Sequence, residues 1–325
     1  MSIPVDYGRG IFLVDADYLR PGLAAIHLIV EGGRVAVIDT GTSHSLPGLR
    51  AALGHLGLSD EAVDYVILTH VHLDHAGGAG SMMRAFPNAR LVVHPRGARH
   101  MIDPSKLIEG AAAVYGEDYI RRVYPDILPI AASRVVEAPD NTEIHLAGRK
   151  LVCLDAPGHA YHHNCILDVQ GGIFSGDVFG LSYRELDVDG RQFIFPTTTP
   201  TQFDPEAMHR TIRRLVDLAP PAIYQTHYGK FADVAGGARD LLRRLDAIVA
   251  LAIAETGEGD ERHRALKRAM TAYLVAEARG HGCRLSEAEL AAIWEMDVEL
   301  NTQGLTYWLD KQAVTRQSRR HETRM

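Results

Sequence analysis

The first half of the chain alternates short apolar runs with glycine-rich turns. The run GIFLVDA is followed by AAIHLIVEGGRVAVIDTG, which predicts a β-hairpin with Gly32 and Gly33 in its turn. Further apolar runs predict the strands DYVILTH, ARLVVHP, NTEIHLAGRKLVCLDAPG, NCILDVQGGIFSGD and PAIYQTH. Apolar spacing in residues 45–56 predicts a helix, and the Asp-Pro pair at 204–205 predicts the start of another. Two groups of strands with interspersed helices indicate an α/β fold in which helices cover two sheets.

Two segments lie outside this strand pattern. Residues 95–133 sit between predicted strands and contain helical patches, which are typical either of a lid over an active site or of an extra helical layer. Residues 236–314 carry apolar stripes at helical spacing, which favour packing on the core or on a second subunit. We therefore predict one domain over residues 1–235 and a C-terminal helical extension over residues 236–325, through which a homodimer could form.

Composition and charge narrow the function classes. The chain has 325 residues, 46% hydrophobic and 23% charged, as in an ordinary globular protein. Its formal net charge of −7 argues against nucleic acid or an anionic membrane as a partner. The apolar runs are shorter than the ~20 residues that span a bilayer, and the N-terminus lacks the features of a signal peptide, so we expect a cytoplasmic protein. The three cysteines show no CxxC spacing and are interpreted as small buried residues.

Metal-ligand residues cluster in one segment and recur in three others. THVHLDHAGG follows an apolar run and precedes a helix-like stretch, and such a turn lets several side chains converge on one point. Histidine nitrogens and carboxylate oxygens without a thiolate suit zinc, manganese or iron. The candidate ligands are His70, His72, Asp74 and His75 in this segment, His159 in APGHAYHH, Asp177 in FSGDVFG and His227 in QTHYG.

The segment HVHLDH resembles the HxHxDH signature of the metallo-β-lactamase superfamily. The later segments resemble further motifs of that superfamily in the same order, over roughly residues 10–230. Asp39 in VAVIDTG resembles the first motif, in which the aspartate supports a metal-binding residue without binding the metal itself. The resemblance implies an αβ/βα metallo-β-lactamase sandwich with metals at the sheet edge.

The resemblance also implies roles for individual residues. It implies two divalent metal ions, the first held by His70, His72 and His159, the second by Asp74, His75 and His227, and both by Asp177. Zinc is favoured, and iron or manganese would also suit these ligands. A hydroxide shared by the two metals would attack the substrate, while Asp74 orients it or passes a proton to the leaving group. Tyr183 could reach the substrate oxyanion as a tyrosine does in lactonase-type relatives, although its spacing departs from theirs.

The expected function is a dinuclear metal-dependent hydrolase acting on a small-molecule ester, lactone, thioester or amide. Glyoxalase-II-like thioesterases and lactonases are the nearest comparison. A true β-lactamase is disfavoured because Asp177 stands where those enzymes usually carry a cysteine or histidine. One alternative is an iron-dependent oxidoreductase of the same fold, similar to persulfide dioxygenases. Another is a phosphodiesterase or nuclease, which the negative charge disfavours.

Overall fold

Two mixed β-sheets lie face to face at the centre of the fold. The structure is a computed structural model that describes the backbone of residues 3–322 and the side chains of residues 3–313. The first sheet contains seven strands, side by side in chain order: β1 (Val5–Asp6), β2 (Ile11–Asp15), β3 (Ala25–Glu31), β4 (Arg34–Ile38), β5 (Val63–Ile67), β6 (Arg90–Val93) and β7 (Val135–Glu137). The second sheet contains six: β8 (Thr142–Leu146), β9 (Arg149–Asp155), β10 (Asn164–Asp168), β11 (Gly172–Gly176), β12 (Ile223–Gln225) and β13 (Gly229–Phe231).

Helices connect the strands and cover the outer faces of the sheets. In chain order they are α1 (Leu46–His55), α2 (Leu73–Ala76), α3 (Ala79–Ala85), α4 (Pro95–Ile102), α5 (Ser105–Tyr115), α6 (Glu117–Val123), α7 (Pro205–Asp217), α8 (Val234–Ala254), α9 (Gly259–His281) and α10 (Glu287–Glu322). As predicted, α7 starts after Asp204, whose carboxylate accepts a hydrogen bond from the Ala207 amide at 2.9 Å. Among these helices, none is both long and apolar enough to cross a membrane.

Both sheets combine antiparallel and parallel pairing. Strands β1 to β4 form an antiparallel meander, and β4 to β7 run parallel. Strands β8 to β11 are antiparallel, and β12 runs parallel to β11. Parallel neighbours need crossover connections, which explains why helices interrupt the strand pattern. The segment 95–133, with α4, α5 and α6, is the crossover from β6 to β7.

Alternation of side chains along the strands produces the layers. In β4, Val35 and Val37 pack beneath the helices of the first sheet, whereas Ala36 and Ile38 face the second sheet. The outer face of the second sheet packs against α7 and the three C-terminal helices. The molecule is therefore an αβ/βα sandwich with C-terminal helices, which confirms the predicted fold class.

The C-terminal helices are continuous with the core of the second sheet. Leu290, Trp294, Val298 and Leu305 of α10 are buried in the same cluster as the residues of that sheet. The apolar stripes read from the sequence thus pack within the chain. The boundary at residue 235 remains a prediction.

A buried arginine ties these helices to the loop that follows β11. Arg244 of α8 donates to the carbonyl of Ile194 at 2.5 Å and to Glu277 of α9 at 2.9 Å. Its guanidinium also lies 4.1 Å from the centre of the Phe193 ring. Because a buried guanidinium needs such partners, this contact holds the loop and the helices in one arrangement.

A histidine lies unpaired between the two sheets. His27 of β3 is 1% exposed and packs edge-on against Phe174 and Tyr224, with ring centres 5.4 and 5.8 Å away. Its Nε2 has no hydrogen-bond partner among the described residues. Burial lowers the pKa of His27 from 6.5 to about 4, although Asp39 opposes the shift.

We predict that His27 weakens the fold in acid. The unfolded chain takes up a proton on His27 near pH 6.5, whereas the folded chain resists it until about pH 4. The free energy of unfolding therefore falls as pH drops through this window, by about 3 kcal/mol from this group. In His27→Phe this contribution should disappear, so the variant should lose less stability than the wild type.

Denaturant unfolding of chelator-treated protein across this pH range measures the difference between the two proteins. His145→Phe is the matched control, because that side chain is 59% exposed. Parallel pH profiles for wild type and His27→Phe would contradict the assignment.

Candidate metal centre

The candidate ligands converge at one edge of the sandwich, where strands of both sheets end. The HVHLDH segment follows β5 of the first sheet. The other three candidates follow strands of the second sheet, His159 after β9, Asp177 after β11 and His227 after β12. All seven predicted residues fall into three overlapping groups in which the donor atoms lie within 4.8 Å of one another.

The HVHLDH segment turns from extended backbone into a short helix. His72 has φ −64° and ψ 149°, and α2 begins at the next residue. His70 and His72 are two residues apart in the extended part, so their side chains lie on one side of the backbone. Asp74 and His75 lie in the first turn of α2 and join a different group of donor atoms.

Two glycines allow close approach of the chain just before two candidate ligands. Gly176 has φ +49°, and a Cβ there would lie 2.7 Å from a neighbouring threonine hydroxyl. Gly158 has φ +139°, and a Cβ there would lie 2.4 Å from the Cα of Met208. A side chain at either position would displace the residue that follows, Asp177 or His159. The SGD and PGH segments therefore need glycine for steric reasons.

Three histidines form the first group of donor atoms. Nε2 of His70 lies 2.9 Å from Nδ1 of His72, and Nε2 of His159 lies 3.0 Å from the same Nδ1. Ligands at tetrahedral corners, with metal bonds of about 2.0–2.2 Å, are roughly 3.3–3.6 Å apart. The three nitrogens are thus close to the spacing that one metal ion requires.

The second group combines Asp74, His75 and His227. Oδ2 of Asp74 lies 3.2 Å from Nε2 of His227 and 3.7 Å from Nε2 of His75. Asp177 belongs to the third group, with His70 and His75, and thereby links the other two. Its Oδ2 is 3.5 Å from Nε2 of His159, whereas its Oδ1 is 3.1 Å from Nε2 of His75. The two oxygens of one carboxylate therefore face different groups.

Buried donor atoms without partners show that the cluster fits metal ions. Nε2 of His75 and Oδ1 of Asp177 are buried and, although 3.1 Å apart, are not aligned for a hydrogen bond with each other or with any other described residue. Unpaired buried polar atoms are costly, so they indicate a ligand. Nitrogen and carboxylate donors suit zinc, iron or manganese. The residues present therefore fit divalent metal ions.

The electrostatics of the cluster also favour a cation. Burial and the neighbouring histidines lower the pKa of His70, and burial and His159 lower that of His72 to about 3. These rings are therefore neutral, with lone pairs free to bind metal. For His75 burial lowers the pKa, but Asp177, Asp74 and Asp39 outweigh it and raise the pKa overall. The carboxylates thus attract positive charge to this position.

Asp39 supports the cluster from behind, as the resemblance implies. The carboxylate is fully buried and accepts hydrogen bonds from Nδ1 of His75 at 2.8 Å and from the Thr226 hydroxyl at 2.8 Å. It also accepts from the backbone amide of Thr69 at 2.8 Å. These contacts leave Nε2 of His75 directed at the cluster.

Two further histidines lie beside the cluster outside the donor groups. His163 is buried and accepts a hydrogen bond from the Asp177 amide at 3.3 Å. His162 is buried and stacks with His70 at a ring separation of 6.3 Å. His163 therefore helps to place the backbone of a candidate ligand.

A cavity of about 550 Å³ opens onto the candidate ligands. Segments distant in sequence supply its walls. Tyr115 and Tyr119 come from the 95–133 crossover, so this segment covers part of the site. Asp297 and Met296 come from α10, in the C-terminal extension. His72, Asp74, Asp177 and His227 are the candidate ligands that line the cavity.

Tyr183, predicted as a catalytic residue, lines the same cavity. Its hydroxyl donates to both carboxylate oxygens of Asp297 at 3.1 Å, and Arg20 lies over its ring at 5.1 Å. Burial raises the pKa of Asp297 to about 7, with His227 and Tyr183 opposing the shift. Tyr228, the neighbour of His227 in the chain, instead donates its hydroxyl to Asp15 at 3.0 Å.

The sequence did not single out Asp297. Asp297 precedes Val298, a residue of the apolar stripe of α10. From the sequence, this position predicts only that Asp297 lies near the edge of a buried helix face. Which residues it meets depends on how α10 crosses the sheet.

Comparison with known proteins places the chain in a family. Residues 19–227 match the family model of the metallo-beta-lactamase superfamily. The metallo-beta-lactamase fold-containing protein ST1585 of Sulfurisphaera tokodaii is 26% identical over 226 residues, covering 68% of this chain and 79% of that protein. Acyl-coenzyme A thioesterase MBLAC2 of Gallus gallus is 30% identical over 184 residues, covering 53% of this chain and 63% of the thioesterase.

A solved structure has the same fold. The metallo-beta-lactamase family protein TTHA1429 of Thermus thermophilus superposes with a TM-score of 0.68 at 21% identity, covering 95% of each chain. The similarity therefore extends over the C-terminal helices as well as the sandwich.

We predict that the purified protein binds about two divalent metal ions per chain. Asp177→Ala should lower the metal content and weaken retention of both ions, because its carboxylate faces both groups of donors. Elemental analysis after gel filtration measures the stoichiometry. Glu185→Ala is the control, because that carboxylate pairs with Arg20 outside the donor groups. A variant at Asp177 that retains both metals would show that this residue is not a shared ligand.

Proposed function

Because the chain belongs to the metallo-beta-lactamase superfamily, we propose that it is a dinuclear metal-dependent hydrolase of small-molecule esters, lactones, thioesters or amides. The observation that carries the proposal is the placement of Asp177. Its two oxygens face separate groups of donor atoms, at the floor of a cavity of about 550 Å³. Such a cavity has the size of a small-molecule site.

The chain supplies both metal positions and the polar groups around the reacting bond. When bound, the two metal ions would lower the pKa of water and stabilise negative charge that develops on the substrate. Asp74 is 24% exposed at the cavity, so its carboxylate can hold the attacking water and pass a proton to the leaving group. Tyr183 can donate its hydroxyl to the substrate oxygen once Asp297 releases it.

The charge of the cavity favours carbonyl substrates over phosphodiesters. Five carboxyl groups line it, against the cations Arg20 and Lys267, and Lys267 pairs with one of them, Glu299, at 2.5 Å. The other four are Asp74, Asp177, Glu295 and Asp297, the last with a pKa of about 7. Carboxylates beyond those that face the metals would repel a nucleic-acid backbone. The name of the chicken relative, an acyl-coenzyme A thioesterase, supports a thioester or ester substrate.

A substrate panel tests the reaction class. We expect the metal-loaded protein to hydrolyse thioesters, lactones or aryl esters, and a chelator to abolish turnover. Product formation is measured separately for these compounds, β-lactams and phosphodiesters, with metal-free protein as the control. Turnover of phosphodiesters alone would overturn the proposal. Oxygen consumption with a persulfide, without hydrolysis, would instead identify an iron oxidoreductase.

Tyr183→Phe tests the proposed role of the hydroxyl. If Tyr183 contacts the substrate oxygen, the variant should lose roughly 10- to 100-fold in kcat with little change in KM. Tyr228→Phe is the matched control, because its hydroxyl binds Asp15 instead. Metal content and unfolding midpoint are measured for both variants. An equal, small loss in both would assign Tyr183 to packing alone.

A further inference from the structure

A second, smaller cavity adjoins the metal centre. It has a volume of about 220 Å³ and shares His72, Val114, Tyr115 and Thr199 with the larger cavity. The two cavities therefore meet at a candidate metal ligand. Tyr115, at the end of α5, lies between them.

The walls of the small cavity are mainly apolar. Val71 and Leu73 flank His72 on one side, and Leu107 and Ala111 of α5 lie on another. A methylene group and a water molecule each occupy about 30 Å³, so a volume of about 220 Å³ corresponds to about seven such non-hydrogen atoms of a ligand. A short aliphatic arm of a substrate would fit this space.

The two cavities differ in charge. Carboxylates line the large cavity, whereas none of the described residues that line the small one is acidic. Lys106 and His100 stand on its wall instead. The nearby carboxylate of Asp103 is occupied by the Ser105 hydroxyl, 2.6 Å away, and does not line the cavity. An anionic group at the small cavity would therefore meet a cation and no opposing carboxylate among the described residues of its wall.

We propose that the small cavity is a substrate subsite for a short aliphatic arm that ends in a carboxylate. The arm extends from the reacting carbonyl at His72, along Val71 and Leu107, to Lys106 and His100. The inference rests on the proposed function and narrows it to esters or thioesters of acid-bearing small molecules. Lys106 is the residue that determines this preference, because it supplies the permanent positive charge.

Pairs of substrates with matched shape test the preference. Monomethyl glutarate is compared with methyl 5-methylhexanoate, which has an isopropyl group in place of the carboxylate. S-acetyl-3-mercaptopropionate is compared with S-(3-methylbutyl) thioacetate, so that the charged arm lies on the other side of the carbonyl. We expect a roughly five- to tenfold higher kcat/KM for the charged member of at least one pair. The pair that shows this preference identifies whether the acyl arm or the thiol arm of the substrate enters the small cavity.

Two pairs of variants locate the subsite. Lys106→Ala should abolish the preference by lowering kcat/KM for the charged substrates, whereas Lys267→Ala, which lines the large cavity and not the small one, should retain it. Gly110→Leu should fill the small cavity and raise KM for the charged substrate, since a Cβ at Gly110 meets no atom within 4 Å. Gly54→Leu is the control, at an equally open helical glycine of α1.

Direct binding separates this inference from the proposed function. Titration calorimetry of metal-loaded protein with glutarate and with 5-methylhexanoate reads the subsite without turnover. If no ester is hydrolysed but glutarate binds more tightly and loses that advantage in Lys106→Ala, the proposed reaction fails and the subsite stands. Equal binding and equal turnover of the charged and neutral compounds would overturn the subsite. Loss of the preference in Lys267→Ala rather than Lys106→Ala would overturn it as well.

Discussion

One buried carboxylate joins the two sheets at the candidate metal centre. Asp39 follows β4 of the first sheet, and its partners include Thr69, after β5, and Thr226, after β12 of the second sheet. A buried carboxylate is tolerated only when its oxygens accept hydrogen bonds or face a positive charge. The oxygens of Asp39 accept these bonds from segments that follow strands of both sheets, so the two sheets have to be assembled before its hydrogen bonds are complete. The same carboxylate orients His75. The carboxylate that links the two sheets therefore also fixes the orientation of a candidate metal ligand.

The candidate metal centre and the cavity depend on different parts of the fold. The donor atoms lie on short segments directly after strands, so their spacing follows from the pairing of the sheets. The cavity walls come from helices whose position depends on side-chain packing. Arg244 and its contacts with Glu277 and Ile194 connect these helices to the loop after β11. A change in helix packing can thus reshape the cavity while the donor atoms keep their positions.

Much of the fold and of the candidate donor cluster was predictable from local sequence. The HVHLDH segment and the SGD and PGH turns carry their geometry in adjacent residues, as Gly158 and Gly176 show. The cavity walls were not predictable in the same way. Tyr115 and Asp297 lie on helices whose sequence pattern shows which face is apolar but not which surface that face meets. Contacts such as that between Tyr183 and Asp297 join residues more than a hundred positions apart.

The contribution of α10 to the cavity has a consequence for the order of synthesis. The last candidate ligand is His227, and the wall residue Asp297 follows 70 positions later (297 − 227 = 70). At about 5–20 residues per second, a ribosome needs roughly 4–14 s to cover that distance. During this interval the nascent chain contains every candidate metal ligand but not yet the helix that encloses them. A sandwich that folds within this interval would present the candidate ligands to metal ions without the wall that α10 supplies.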